Sequence, residues 1–266
     1  MKFHEITILE EASRCLMCYD APCSKACPAG SDPAAFIKAI RLSNLRGGAR
    51  QTLDGNMFGA VCAAACPASK YCEGACIRKK IDHPVEISML HSFITQYGQE
   101  CGFPQIQLFY VENSKLTVAV LGANMAGLTA AAELAKKGVS VTVYTNSTKP
   151  FCNAQMRAQM KEGKADSAIL DTMMSTLNEL GITFLTIKKS TVLAEEFQKY
   201  GLVVIAEKDC VPNMANIEKF QGAFFTGEYV PGPNDLTFSV KKGKETARCV
   251  LAYADQADTS AKEENK

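Results

Sequence analysis

The stretch CLMCYDAPCSKACP, Cys15 to Pro28, places four cysteines within thirteen residues and ends on a proline. A second run, CAAACPASKYCEGAC, Cys62 to Cys76, holds four more. Their spacings are C-x2-C-x4-C-x3-C-P and C-x3-C-P-x4-C-x3-C. Cysteines spaced by two and four residues turn their sulfurs into one tight loop and can wrap a cubane. The fourth, three residues on and followed by proline, points away, as in the bacterial two-cluster ferredoxins, where it serves the other cluster. Proline at that point helps reverse the chain and brings no competing backbone donor.

Composition bounds the alternatives. The chain has 266 residues, 47% of them apolar, with 29 basic and 28 acidic residues for a formal net charge of +1. Such a balance steers neither nucleic acid nor an anionic membrane toward it. The N-terminus MKFHEITILEEASRC lacks the basic start and apolar run of a secretory leader. No apolar stretch reaches the length of a membrane span. A cytoplasmic location is the expectation, and there 12 cysteines argue for metal rather than disulfides. Two Zn(Cys)4 sites could use the same thiolates, but zinc modules favour paired C-x2-C knuckles.

Residues 1–110 read as short helices in Cys- and Pro-rich loops. DPAAFIKAIRLSNLRGGARQTL has an Asp cap, a first-turn proline and apolar residues at Phe36, Ile37, Ile40 and Leu42. VEISMLHSFITQYG sets Ile87, Leu90, Phe93 and Ile94 on one face, with Gly98 as its stop. Near residue 115 the pattern changes. LTVAVLGANMAGLTAAAELAKKGVSVTVYT reads strand, turn, helix, strand, the opening of a parallel sheet. SAILDTMMSTLNELGITFLTI adds a helix and strand, and YGLVVIAE a buried strand. GAFFTGEYVPGPNDLTFSVKKGKETARCVLAYA closes with a strand, a Gly/Pro loop and a helix, in which Cys249 is expected to pack in the core. DQADTSAKEENK, residues 255–266, is polar and aperiodic and reads as a disordered tail.

EEASRCLMCYDAPCSKACPAGSDPAAFIKAI and GAVCAAACPASKYCEGACIRKKIDHPVEISMLHSF resemble the N-terminal two-cluster module of the dihydropyrimidine dehydrogenase and glutamate synthase small-subunit family, over about residues 10–98. The resemblance implies a ligand set. One [4Fe–4S] cluster takes Cys15, Cys18, Cys23 and Cys76. The other takes Cys27, Cys66 and Cys72 plus a non-cysteine ligand on the following helix. That position, usually Glu or Gln, falls on His91 in HPVEISMLHSF. Imidazole is a competent iron ligand, and a neutral ligand in place of an anionic one raises the potential. Cys62 is the rival, although its counterpart in the family is not a ligand.

In the same family a flavin domain follows, with a nicotinamide domain inserted in it. Here residues 111–254 keep the outline of the flavin domain, and the nicotinamide insertion looks deleted. The fingerprint stands at Gly122, Ala123, Asn124 and Gly127, with Asn124 where the second glycine should let backbone approach a pyrophosphate. Thr145 replaces the acidic residue for the ribose, and the glycines expected near KPFCNAQM are missing. Gly227 and Glu228 resemble the C-terminal flavin motif, with Glu in place of Asp. Two readings stay open: FAD bound in a reduced domain, or a Rossmann-like scaffold with its nucleotide site vacant. Cys152, in the KPFCNAQM loop, has little beside it but Lys149 and Arg157 to lower its pKa.

The fold class expected is a helical iron–sulfur domain followed by a truncated Rossmann-like, FAD-type parallel-sheet domain. The function expected is a subunit of an anaerobic oxidoreductase complex, relaying single electrons through two [4Fe–4S] clusters. Its partners would be a flavin- or NAD(P)-dependent dehydrogenase subunit or a ferredoxin-like carrier. A compact FAD-containing flavin–cluster exchanger is the second reading, and a structural or regulatory metal-stabilised module the third. No acid/base pair or nucleophile emerges for chemistry on an organic substrate.

Overall fold

The computed structural model describes residues 5–102, 116–146, 167–187, 199–210 and 222–264. Cys152 and the KPFCNAQM loop lie outside these. The chain forms two compact units. The first is built from the N-terminal helices, and the short segment Asn234–Phe238 also belongs to it. The second holds the sheet.

In the helical unit, α1 (Glu5–Ser13), α2 (Pro22–Lys25), α3 (Pro33–Arg41), α4 (Leu45–Gly55), α5 (Gly59–Ala65) and α6 (Ile87–Glu100) follow one another. Two 3-10 turns, Ala68–Lys70 and Ile77–Lys80, precede α6. Asp32 caps α3 by accepting the Ala35 N–H at 3.1 Å, and Pro33 opens the first turn, where its missing N–H costs nothing. The helix ends at Arg41, because Ser43 takes a left-handed φ of 56°. Asn44 then caps α4 through the Gly47 N–H at 3.1 Å. Leu42, read as part of the apolar face, is therefore exposed at the break. Phe36, Ile37 and Ile40 join Ile8, Val85, Leu90 and Ile94 in one core, against which Cys15, Cys23 and Cys76 pack. Gly98 does not stop α6; it is buried within the helix, and Gly102, at φ 71°, follows the end.

The sheet unit contains β1 (Thr117–Leu121), α7 (Met125–Ala135), β2 (Ser140–Thr145), α8 (Ser167–Glu179), β3 (Thr183–Thr186), β4 (Leu202–Ile205) and β5 (Ala223–Phe225). Every pairing is parallel, in the order β3-β2-β1-β4-β5. The sheet is the Rossmann-like α/β arrangement expected. All four residues of β4 are buried, as a strand covered on both faces requires. Apolar β1 and Ala-rich α7 are buried along nearly their whole length, which centres the fingerprint turn on the sheet.

A last helix, α9, spans Leu236–Glu264. Two expectations are corrected here. The stretch taken for a disordered tail continues α9 as far as Glu264, since Ala, Gln, Lys and Glu propagate a helix that is already nucleated. Cys249 lies on the exposed side of α9, while its neighbours Ala247 and Val250 are buried. Among the described residues, no helix is long and apolar enough to cross a membrane.

Candidate iron–sulfur centre and nucleotide turn

The loop between α1 and α2 coils tightly. Met17 and Ala21 both adopt left-handed backbone, φ 53° and 41°, at about 1–2 kcal/mol each for a residue with a Cβ. That winding turns Cys15, Cys18 and Cys23 to one side. There a cavity is lined by those three cysteines and by Cys76, together with apolar Ile37, Val85 and Ile87. Burial pushes the Cys15 and Cys23 thiols up, and the neighbouring cysteines raise them further, Cys18 and Cys76 for the first and Cys15 and Cys76 for the second. Thiolates gathered this way repel one another unless a metal centre balances their charge. The donor set of four sulfurs fits a [4Fe–4S] cluster.

Cys27, Cys66 and Cys72 form the second group. Burial pushes Cys66 up to about 11, with Cys27 adding to it. Cys72 is raised still further, by burial and then by Cys66 and Glu73. Cys62 stands with this group: it is fully buried, its thiol is pushed up to about 12 by burial, and Cys66 and Cys27 add to the rise. The Cys62 sulfur accepts a hydrogen bond from the Asn56 amide at 3.4 Å. His91 is buried on α6 and stacks on Phe36, ring centroids 5.1 Å apart. Among the described residues its Nε2 has no hydrogen-bond partner, and a Cβ added at Gly59 would lie 3.2 Å from it. Burial alone lowers its pKa to about 4, so the ring is neutral, the form that ligates iron. An orphaned buried nitrogen costs about 1–3 kcal/mol, which a metal bond would offset.

Three neighbours of the second group were not legible in the sequence. The Thr237 hydroxyl lies beside the Cys66 and Cys62 thiols and partly offsets the rise in their pKa values, without a regular hydrogen bond of its own among the described residues. Tyr71 donates its hydroxyl to Asp235 at 2.7 Å. Asn56 is buried and bridges Ser31 and Cys62. Contacts between residues so distant in sequence leave no local pattern.

On the sheet unit the fingerprint residues do come together. Gly122 turns at φ 109°, and Ala123 is buried beside it. Gly127 packs so closely that a Cβ there would collide with the Gly122 carbonyl. Asn124 is the N-cap of α7, accepting the Gly127 N–H at 2.9 Å and donating to the Ala206 carbonyl at 2.8 Å. Gly227, at φ 59°, meets the same pair: a Cβ on it would stand 2.5 Å from the Ala206 carbonyl and 2.7 Å from Asn124 Nδ2. Glu228 accepts the Lys208 N–H at 3.2 Å. Thr145 is buried at the end of β2.

Comparison with known proteins fits this geometry. Residues 1–103 match the family described as dihydropyrimidine dehydrogenase domain II, 4Fe-4S cluster. Residues 120–181 match an NAD(P)-binding Rossmann-like domain. The chain is 36% identical over 183 residues to the NAD-dependent dihydropyrimidine dehydrogenase subunit PreT of Escherichia coli strain K12, covering 68% of this chain and 43% of that one. It is 37% identical over 182 residues to the PreT homolog of Salmonella typhi, with the same shares covered. The matched stretch thus spans less than half the length of these relatives. Residues 1–103 thus carry the dihydropyrimidine dehydrogenase domain II 4Fe-4S module, followed over residues 120–181 by an NAD(P)-binding Rossmann-like domain.

Proposed function

We propose that the protein is an electron-transfer subunit of an oxidoreductase complex, holding two [4Fe–4S] clusters. The observation that supports this most is the cavity where Cys76 of the second run joins Cys15, Cys18 and Cys23 of the first. Cluster A takes these four sulfurs. Cluster B takes Cys27, Cys66, Cys72 and His91. His91 is favoured over Cys62 because its buried Nε2 lacks a partner, whereas the Cys62 sulfur already has the Asn56 amide.

The clusters supply one-electron carriers; the chain's residues hold them, exclude water and set their surroundings. Ile37, Val85 and Ile87 line the cluster A cavity with apolar surface, which keeps the local dielectric low. A partner of the kind that the name of E. coli PreT implies, another subunit of a dehydrogenase, would exchange electrons with them. Anaerobic purification with iron, sulfide, zinc and flavin quantitation tests the reading. About eight iron and eight sulfide per chain, with an EPR signal that dithionite produces reversibly, is the expected result. Zinc without sulfide, or iron that cannot be reduced reversibly, would overturn it.

A further inference from the structure

The fingerprint turn, read closely, argues against the cofactor its motif suggests. In a dinucleotide fold, a pyrophosphate lies against the N–H groups of the glycine turn and helix N-terminus, and the second glycine lets it approach. Here that position is Asn124, and its side chain is not turned away. It is buried, and both ends of its amide are engaged, one on the Gly127 N–H and the other on the Ala206 carbonyl. The cap satisfies one of the helix donors from within the chain.

A second residue reaches the same place from β4. Glu207 follows Ala206 at the end of that strand, and its side chain lies across the Gly122 turn. A Cβ on Gly122 would stand 2.6 Å from Glu207 Cβ and 2.7 Å from its Cγ. The carboxyl lies near the Asn124 N–H, which works against the rise that burial gives its pKa; that N–H is a donor of the turn on which a phosphate oxygen would otherwise rest. It also meets the Cys210 thiol, Sγ to Oε2 3.5 Å. Glu228 and Asp209 are close enough to affect its charge, so a phosphate would enter a region already lined with carboxylates. Of the neighbouring cations, Lys242 donates to the Gly227 carbonyl at 3.1 Å, and Lys208 lies over the Tyr229 ring.

We infer that the dinucleotide site of the sheet unit is closed by the chain's own side chains, with Asn124 filling the approach of the pyrophosphate and the Glu207 side chain lying across the turn where a phosphate would rest. The sheet unit then binds neither FAD nor NAD(P)H, and a dinucleotide must be held elsewhere. Electrons enter and leave the chain without a flavin of its own.

Isothermal titration of the cluster-loaded full chain with FAD, and separately with NADH, tests this. The wild type is expected to give no saturable binding with either. The Asn124→Gly, Glu207→Ala double variant is expected to tighten binding of at least one of them by about tenfold or more over the wild-type limit. The single Glu207→Ala variant, which leaves the Asn124 cap in place, is expected to move in the same direction. Saturable binding by the wild type overturns the inference. So does a folded double or single variant that binds no better than wild type.

Discussion

At the scale of single residues, the centre depends on which sulfurs meet. Cys76 lies fifty-three positions from Cys23, yet both line one cavity. Cys76→Ser is expected to lower the iron content from about eight toward about four per chain; iron unchanged on elemental analysis would separate the residue from cluster A. His91→Ala should alter only cluster B, and His91→Cys should retain that cluster at a lower potential, as read by EPR-monitored redox titration. An unchanged potential in both variants would remove His91 from the ligand set. Glu207 carries a pH dependence. Burial raises its pKa first, with the nearby Glu228 and Asp209 adding to it. The folded state then holds the proton more tightly than the unfolded chain, so this group favours folding below the ordinary carboxyl pKa and loses that contribution as pH rises through the raised one. Glu207→Gln should therefore melt higher than wild type at neutral pH, with the gap closing toward pH 4; a gap that does not change with pH would refute this. The cysteines proposed as ligands stand out in the sequence because cluster chemistry imposes local spacing. Glu207 was not, because its contact with Gly122 arises only when β4 is laid beside β1.

Elements were legible where caps and periodicity agreed. Asp32 and Pro33 announced α3, and Asp32→Ala should cost about 1 kcal/mol of stability in the helical unit, measured by chemical denaturation. The sequence was misleading where a glycine had two meanings. Gly98 resembled a stop but is buried on α6, while the left-handed residue after that helix is Gly102. The end of α9 was misread because polar, aperiodic composition suits an exposed helix as well as a disordered tail. Close approach of helices was invisible beforehand. Gly243 on α9 leaves no room for a Cβ beside the Ala126 carbonyl, and Thr129 is almost as near. Gly243→Ala should therefore destabilise the sheet unit by about 1–3 kcal/mol through overpacking, with the iron content unchanged; full stability would mean that α7 and α9 can part at no cost.

For the whole molecule, the sequence changes near residue 115 from loops rich in cysteine to a βαβ pattern, and the first stretch of the helical unit runs Met1–Ile106. That change did not reveal that Asn234–Phe238 joins the same unit, since Tyr71 and Asp235 lie 164 positions apart. The buried thiols of the helical unit favour their protonated state, and metal binding must supply part of its folding energy. Stripping the iron with a chelator should therefore lower amide protection across α3 to α6 by tenfold or more, measured by hydrogen exchange, while β1, β2 and β4 keep theirs. Equal loss in both units would show that the sheet depends on the clusters too.

With the ligand set proposed above, the crossing of the two cysteine runs also sets a timetable. A nascent chain emerges N-terminus first, at roughly 5–20 residues per second, so Cys15, Cys18 and Cys23 appear seconds before Cys76 can reach them. During that interval three sulfurs wait beside Cys27, a fourth of the wrong allegiance. A cubane delivered too early could settle on Cys27 and leave both sites wrongly filled. On that assignment, correct loading of iron and sulfide follows the exit of residue 76 from the ribosome, when the right partner can compete.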